Sequence, residues 1–315
     1  MEFAPQFPRE SDVAGRFERQ ESRFLDCVQP NDSSHYPAEA GRYRLFVSYA
    51  CPWAHRTIIV RHLKRLHDVV PMAVVDPVRD QRGWGFGDPA GSVGDPFEGF
   101  RFLSEAYLLT DPSYDGRVTV PVLWDTITRR VVCNESAILM RVLDSAFDAF
   151  SDVRLDLRPA GLVAEMDPLE DRIYAAVNNG VYQCGFATTQ EAYDEALVAL
   201  FGMLDELDER LATRRYLLGA QITEADWRLF TSLIRFDPVY VTHFKTNIRR
   251  IADYANLGPY LCDLYQQPGI AETVNLDHIK RHYFVTHRQL NPSGIVPPGP
   301  ILDWDQPHGR ERLAG

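Results

Sequence analysis

Cys51 is the residue of this sequence with the clearest chemical potential. It precedes Pro52 and a stretch in which Ile59, Leu63 and Leu66 are spaced as on one face of a helix, so its sulfur is expected at a helix start. Free backbone N–H groups and the positive end of the helix dipole both favour a thiolate there. The pattern therefore predicts a nucleophilic cysteine.

The position three residues after Cys51 decides what kind of thiol chemistry is possible. Ala54 stands where dithiol oxidoreductases carry their second cysteine. A mixed disulfide formed at Cys51 must then be resolved by an external thiol, because exchange needs an incoming thiolate. Glutathione is the abundant intracellular candidate, and we expect it as a co-substrate.

The cysteine count also bears on the compartment. The chain has 5 cysteines, and Met1–Glu10 has no apolar run of the kind found in secretory signals. An odd number of cysteines without a signal favours free thiols in a reducing compartment, so a cytoplasmic protein is expected. Isolated cysteines are usually small buried hydrophobic residues, and we interpret four of them in this way: Cys27, Cys133, Cys184 and Cys262.

Three further features fit a glutathione site, and each has an ordinary structural alternative. Pro121 lies inside a β-favouring run, either as a special turn or cis bond beside the site or as an edge-strand proline. Glu135 and Ser136 open a helix, where N–H groups and a hydroxyl can hold a carboxylate while Glu135 receives an ammonium; the alternative is ordinary N-capping. Trp84, in the stretch GWGFG, either covers a ligand or folds onto the core.

Other chemistry is disfavoured. His278 and His282 lie four residues apart and could share a helix face, but no third ligand accompanies them, so no metal is predicted. The glycines around Trp84 follow no strand and make no dinucleotide fingerprint.

The elements around these residues predict a thioredoxin-like order, βαβ and then ββα. They are a strand Tyr43–Tyr49, a helix Trp53–Leu66, a strand Val69–Val75, a long loop Asp76–Phe100, a hairpin of Val118–Trp124 and Arg130–Cys133, and a helix from about Glu135 to Leu143.

From about Pro168 the pattern is helical. Its clearest stripe carries Tyr193, Leu197, Leu200, Leu204, Leu207 and Leu211, and Thr223 with Asp226 predicts a capping box. The fold class is thus α/β plus all-α, a thioredoxin-like domain followed by a helical domain. The predicted ranges are an N-terminal extension 1–41, the thioredoxin-like glutathione-binding domain 42–150, the helical domain 151–288 and a C-terminal extension 289–315.

Length and charge narrow the function classes. At 315 residues the chain exceeds the usual size of one core, which favours two domains. A formal net charge of −11 disfavours nucleic acid as a partner. No apolar run is long enough to span a bilayer, so no membrane association is expected.

Dispersed motifs identify a family. The sequence resembles the glutathionyl-hydroquinone reductases, or Xi-class glutathione transferases, over nearly its whole length. The motifs are SYACPWAHR around Cys51, VPVLWD from Val120, NES from Asn134, NNGVY from Asn178, ITEADWRLF from Ile222 and DHIKRHY from Asp277. The resemblance implies that Cys51 attacks the thioether sulfur of a glutathionyl-hydroquinone, and that a second glutathione resolves the resulting disulfide.

The resemblance also implies roles for individual residues. The glutathione-binding positions are Trp84, Arg117, Val120, Pro121, Glu135 and Ser136, and tyrosines matching Tyr182 and Tyr283 line the aromatic pocket, where a phenol can act as a general acid. A homodimer is implied as well. Phe284, Thr286 and Arg288 replace residues common in the family, which bears on substrate preference and not on the thiol chemistry.

Two alternatives remain at this point. An omega-like thiol transferase or dehydroascorbate reductase would share Cys51 but favour small oxidised substrates. A non-catalytic binding module could keep the same fold, because fold alone does not fix function.

Overall fold

The chain forms two compact units, each built from several stretches of sequence. The computed structural model describes residues 10–30, 34–87 and 94–313. One unit, the thioredoxin-like unit, comprises the described residues of Gln20–Leu155 and Glu272–Thr286. The other, the helical unit, comprises those of Met1–Arg19, Asp156–Ala271 and His287–Gly315. Residues 272–286, which the sequence ranges assign to the helical domain, thus group with the thioredoxin-like unit by their contacts.

The structure has four paired strands and ten α-helices in its described part. The strands are β1 (Tyr43–Val47), β2 (Met72–Val74), β3 (Val122–Asp125) and β4 (Arg130–Cys133). The helices are α1 (Pro52–Leu63), α2 (Ser104–Thr110), α3 (Ser136–Arg141), α4 (Val163–Ile173), α5 (Gly180–Phe186), α6 (Gln190–Leu211), α7 (Glu224–Arg235), α8 (Val241–His243), α9 (Leu257–Tyr265) and α10 (Leu276–Arg281).

The sheet of the thioredoxin-like unit has the predicted connectivity. Its order is β2-β1-β3-β4, with β1 parallel to β2 and antiparallel to β3, and β3 antiparallel to β4. Helix α1 makes the crossover that a parallel β1–β2 pair requires. The predicted thioredoxin-like fold with a second, helical part is therefore confirmed.

Some local details differ from the sequence prediction. Helix α2 was not predicted; its N-cap, Leu103, makes no side-chain capping bond, so the usual start signal is missing. In the segment predicted as a loop, Phe86 bridges Val75 and Gly85 bridges Phe102, while residues 88–93 lie outside the described part.

The helical unit is held by a buried capping network at the start of α7. Asp226 accepts hydrogen bonds from the backbone and hydroxyl of Thr223, both at 2.8 Å, which confirms the predicted capping box. The same carboxylate accepts from the Tyr260 hydroxyl at 2.7 Å. Within the part of the chain that the structure describes, no helix combines the length and apolar character needed to cross a membrane.

A buried histidine makes the helical unit sensitive to acid. Burial, helped by Lys245, lowers the pKa of His243 from 6.5 to about 4. Its Nε2 lies 3.2 Å from Nδ1 of His287. Between about pH 6.5 and 4 this histidine is protonated in the unfolded chain but stays neutral in the folded chain. The free energy of unfolding therefore falls as the pH falls through that range.

Because of this histidine, we expect the free energy of unfolding to be about 2 kcal/mol lower at pH 5 than at pH 7. Urea unfolding at the two pH values measures the loss. In His243→Gln the free energy of unfolding should change less with pH than in the wild type. The exposed His35→Gln is the matched control and should keep the wild-type slope. An unchanged slope in His243→Gln would contradict the assignment.

Candidate active site

Cys51 lies where β1 runs into α1. It is the N-cap of α1, with extended backbone angles (φ −78°, ψ 122°), and Pro52 occupies the first helical turn. Its side chain is partly exposed and caps no backbone N–H. Its Sγ lies 3.5 Å from the Val120 carbonyl oxygen, to which a thiol can donate. The predicted position at a helix start is thus present.

The Val120–Pro121 peptide bond beside this sulfur is cis. Pro121 precedes β3, which begins at Val122, so the prediction that it lies inside the strand is wrong. Both residues are buried. The sequence allowed Pro121 to be either a cis proline beside the site or an edge-strand proline. In the structure it is a cis proline next to Cys51.

Glu135 and Ser136 form the start of α3. Glu135 is the N-cap, and its Oε1 accepts from the backbone N–H of Ala137 at 3.1 Å, so ordinary N-capping does occur. The buried Ser136 hydroxyl lies 3.4 Å from a guanidinium nitrogen of Arg56, which projects from α1. The charge of Arg56 is therefore held at the start of α3.

Trp84 is buried to 4% exposure and packs against the segment that contains α10. Its ring stacks on His282 with 4.9 Å between centroids, and the Arg79 guanidinium lies 5.2 Å from its centre. The ring of Tyr283, itself fully buried, lies 5.2 Å from His282 at a steep angle.

The remaining two predicted residues have different surroundings. Arg117 is partly exposed, and its carbonyl oxygen accepts from the Tyr114 hydroxyl at 2.7 Å. Tyr182 belongs to α5 in the helical unit and is 9% exposed. Its ring stacks with Phe17 and Phe186, and the Arg19 guanidinium lies 4.8 Å over it.

The other cysteines have environments that distinguish them from Cys51. Burial raises the pKa of Cys133 and that of Cys184 to about 12, and it also raises the pKa of Cys262. These three are buried as predicted. Cys27 is exposed, and the prediction that it is a buried hydrophobic residue is wrong. It lies on the N-terminal extension, where the next residue, Val28, is the one that is buried.

The two histidines considered as metal ligands have other partners. His278 packs its ring edge-on against Tyr49, at 5.7 Å between centroids. Nδ1 of His282 donates to the Pro77 carbonyl oxygen at 2.8 Å while the ring faces Trp84. Within the described residues, no group of three or more histidine, cysteine, aspartate or glutamate side chains could hold a metal ion.

Some of the predicted residues make contacts that sequence reasoning did not single out. His282 links Trp84 to Tyr283, whereas the sequence analysis considered His282 only as a metal ligand and as part of the DHIKRHY motif. Ser22, on the N-terminal extension, donates to Glu135, and no sequence pattern indicated this.

Comparisons with known proteins agree over most of the chain. The family described as glutathione S-transferase, N-terminal domain, matches residues 50–146, and the family described as glutathione S-transferase, C-terminal domain, matches residues 190–261. The glutathionyl-hydroquinone reductase YqjG of Escherichia coli (strain K12) is 50% identical over an alignment of 306 residues that covers 95% of this chain and 93% of YqjG. The glutathionyl-hydroquinone reductase PcpF of Sphingobium chlorophenolicum is 45% identical over 286 residues, 91% of this chain and 90% of PcpF.

Solved structures give the same result. The Xi-class glutathione transferase from Natrialba magadii superposes with a TM-score of 0.89 at 50% identity, covering 92% of this chain and 89% of that one. The glutathione-bound structure of YqjG superposes with a TM-score of 0.88 at 50% identity, covering 92% of this chain and 96% of that one. On this evidence the chain belongs to the glutathionyl-hydroquinone reductase family, the Xi class of glutathione transferases.

Proposed function

We propose that this chain reduces glutathionyl-hydroquinones to hydroquinones with glutathione as co-substrate and Cys51 as nucleophile. The Cys51 thiolate attacks the thioether sulfur, the bond from that sulfur to the aromatic carbon breaks, and its electron pair stays on the carbon, which takes up a proton. This leaves hydroquinone and a Cys51–glutathione disulfide. A second glutathione thiolate attacks the glutathionyl sulfur, so that glutathione disulfide leaves and Cys51 is regenerated.

The observation that carries this proposal is the setting of Cys51. It is partly exposed at the start of α1, and the position that would hold a resolving cysteine is occupied by the buried Ala54. Without a resolving cysteine at that position, Cys51 needs a soluble thiol for each turnover.

The proposed glutathione contacts follow from what the residues offer. The backbone of Val120, before the cis bond to Pro121, pairs with the cysteinyl part of the tripeptide, as an extended backbone segment can. Glu135 receives the ammonium of the γ-glutamyl group, and Ser136 holds its carboxylate. We assign Trp84 and Arg117 to the rest of the tripeptide on the family resemblance.

We assign the proton for the aromatic carbon to a tyrosine. A phenolic O–H is a donor at neutral pH, and positioned acids contribute about 10²- to 10⁴-fold to rates. Tyr283→Phe is therefore expected to lower kcat for a glutathionyl-hydroquinone by about 100-fold, with a smaller loss for Tyr182→Phe. Steady-state kinetics at saturating glutathione measure both effects.

A matched control separates the hydroxyl from the ring. Phe284 is the neighbour of Tyr283 and is also buried, so Phe284→Leu changes an apolar contact in the same segment without touching a hydroxyl. It should alter KM more than kcat. If Tyr283→Phe kept the wild-type kcat, the general-acid role would belong to another group.

Comparative turnover tests the reaction class. Purified protein with glutathionyl-menadiol and glutathione should release menadiol, and turnover of dehydroascorbate or of small mixed disulfides should be lower. Faster turnover of the small oxidised substrates would favour the omega-like transferase. Failure to turn over any of these substrates would favour a non-catalytic binding module.

The remaining features of the proposal concern the setting of the enzyme. We infer a cytoplasmic location, because all five thiols are free and a reducing compartment preserves them. We also infer a homodimer, on the family resemblance. The sequence-based domain ranges 42–150 and 151–288, with an extension at each end, stay a prediction, and contacts group residues 272–286 with the thioredoxin-like unit. Analytical ultracentrifugation tests the dimer.

A further inference from the structure

The N-terminal extension is paired with the strand that leads into Glu135. The backbone N–H of Asn134 donates to the Phe24 carbonyl at 3.0 Å, and that of Asp26 donates to the Val132 carbonyl at 3.1 Å. The Phe24 N–H donates in turn to Oδ1 of Asn134 at 3.1 Å. This segment therefore covers the free edge of β4, and any group it carries is held in register with the residues that follow β4.

The Asn134 side chain connects the paired N-terminal segment to the loop that precedes Val120. Asn134 is 5% exposed, and its amide nitrogen donates to the Tyr107 hydroxyl at 3.2 Å and to the Thr119 hydroxyl at 3.3 Å. Thr119 directly precedes Val120 in the chain. The extension and the Val120 loop are thus linked through one buried amide.

This pairing places Ser22 beside the Glu135 carboxylate. Its Oγ lies 3.0 Å from Oε2 of Glu135 and 3.4 Å from the Asn134 carbonyl oxygen, and the hydroxyl can donate to either. The other oxygen, Oε1, accepts from the Ala137 N–H at 3.1 Å and lies 3.5 Å from the Ser136 hydroxyl. Both carboxylate oxygens are therefore held by the protein.

The carboxylate still has capacity for a ligand. An ionised carboxylate offers about four acceptor sites, of which these bonds use two or three. Glu135 is also partly exposed, whereas Asn134 and Ser136 on either side are buried. A cation can reach it without breaking the bonds that orient it.

We infer that Ser22 is a positioning residue for the glutathione ammonium, acting by fixing the orientation of Glu135. This inference rests on the proposed function, because it takes Glu135 as the group that receives the γ-glutamyl ammonium. It gives the N-terminal extension a role in glutathione recognition. A carboxylate held before binding loses less rotational freedom when the ligand arrives.

Calorimetric titration of glutathione into the full-length protein tests the inference. Ser22→Ala should raise the Kd for glutathione by up to about ten-fold, because the released Glu135 side chain must then be ordered when the ligand binds. Ser22→Thr keeps the hydroxyl and should restore most of the affinity. Ser34→Ala is the matched control, since Ser34 also lies on the extension and its hydroxyl contacts the Tyr36 N–H and not Glu135.

A glutathione analogue that lacks the γ-glutamyl amino group distinguishes positioning from a general structural effect. Ser22→Ala and the wild type should bind this analogue with the same Kd, because no ammonium is present for Glu135 to receive. Ser22→Gly gives the same comparison should the alanine variant fail to fold.

The outcomes are separable. Wild-type affinity for glutathione in Ser22→Ala, or an equal loss for glutathione and the analogue, would overturn the role of Ser22. A wild-type protein that bound no glutathione at all would instead overturn the proposed function.

Discussion

Cys51→Ser is expected to lower the turnover of glutathionyl-hydroquinones by about a thousand-fold or more. A serine hydroxyl at this position is a far weaker nucleophile than a thiolate and cannot form the mixed disulfide. The start of α1 should persist, because Cys51 makes no capping bond with its side chain. Steady-state kinetics with glutathionyl-menadiol measure the loss.

Two controls make this result specific. Glutathione binding by Cys51→Ser, measured by calorimetry, should stay within a few-fold of the wild type, since the proposed contacts at Val120 and Glu135 remain. Cys27→Ser removes the other exposed thiol and should retain full activity. Substantial turnover by Cys51→Ser would mean that another group attacks the thioether.

Asp125→Asn is expected to lower the free energy of unfolding by about 3 to 5 kcal/mol, because it removes one partner of a buried ion pair. Asp125 is fully buried and accepts two hydrogen bonds from the Arg42 guanidinium, at 2.8 and 2.7 Å. A third bond comes from the Thr128 hydroxyl at 2.8 Å. Urea unfolding followed by tryptophan fluorescence reports the loss, since Trp124 is the preceding residue.

An exposed ion pair of the same unit supplies the control. Arg65 and Asp152 lie 3.2 Å apart with side chains 69% and 74% exposed, so Asp152→Asn should cost less than about 1 kcal/mol. Equal effects of the two substitutions would contradict the account of Asp125.

The cost of Asp125→Asn should also depend on pH. Burial works to raise the pKa of Asp125, but the hydrogen bonds from Arg42, Thr128 and the Ile127 N–H, together with the Arg42 charge, outweigh it, and the pKa is lowered. A lowered carboxyl pKa stabilises the fold above the unfolded value of about 4, and this contribution is lost as the pH falls below it. The difference between wild type and variant should therefore shrink in acid.

The thioredoxin-like connectivity could be predicted because its elements carry strong local signals. The β-favouring run before Cys51 and the apolar stripe after Pro52 both predicted the observed β1–α1 order. Helix α2 escaped prediction because a seven-residue helix without a capping residue has little periodicity to detect.

Long-range side-chain contacts could not be predicted from one sequence. The VPVLWD motif marks both Val120, beside the cysteine, and Asp125, which is part of a buried ion pair. The motif alone cannot separate these roles, because separating them requires knowing that Arg42 lies opposite. The contact of Ser22 with Glu135 likewise could not be predicted, because it depends on the pairing of the extension with Asn134.

Grouping of residues 272–286 with the thioredoxin-like unit is a similar case. The helical periodicity of this segment favoured the helical domain, but His55 contacts Thr273 at 2.8 Å and Trp84 stacks on His282. The grouping depends on tertiary contacts, which cannot be predicted from the local sequence pattern.

A single-turnover experiment tests the central claim most directly. Enzyme in excess over glutathionyl-menadiol, with no free glutathione added, should release one menadiol for each substrate and leave one glutathionyl group per substrate on the enzyme, located by peptide mass spectrometry on Cys51. Release of menadiol without a glutathionyl group on Cys51 would contradict the account.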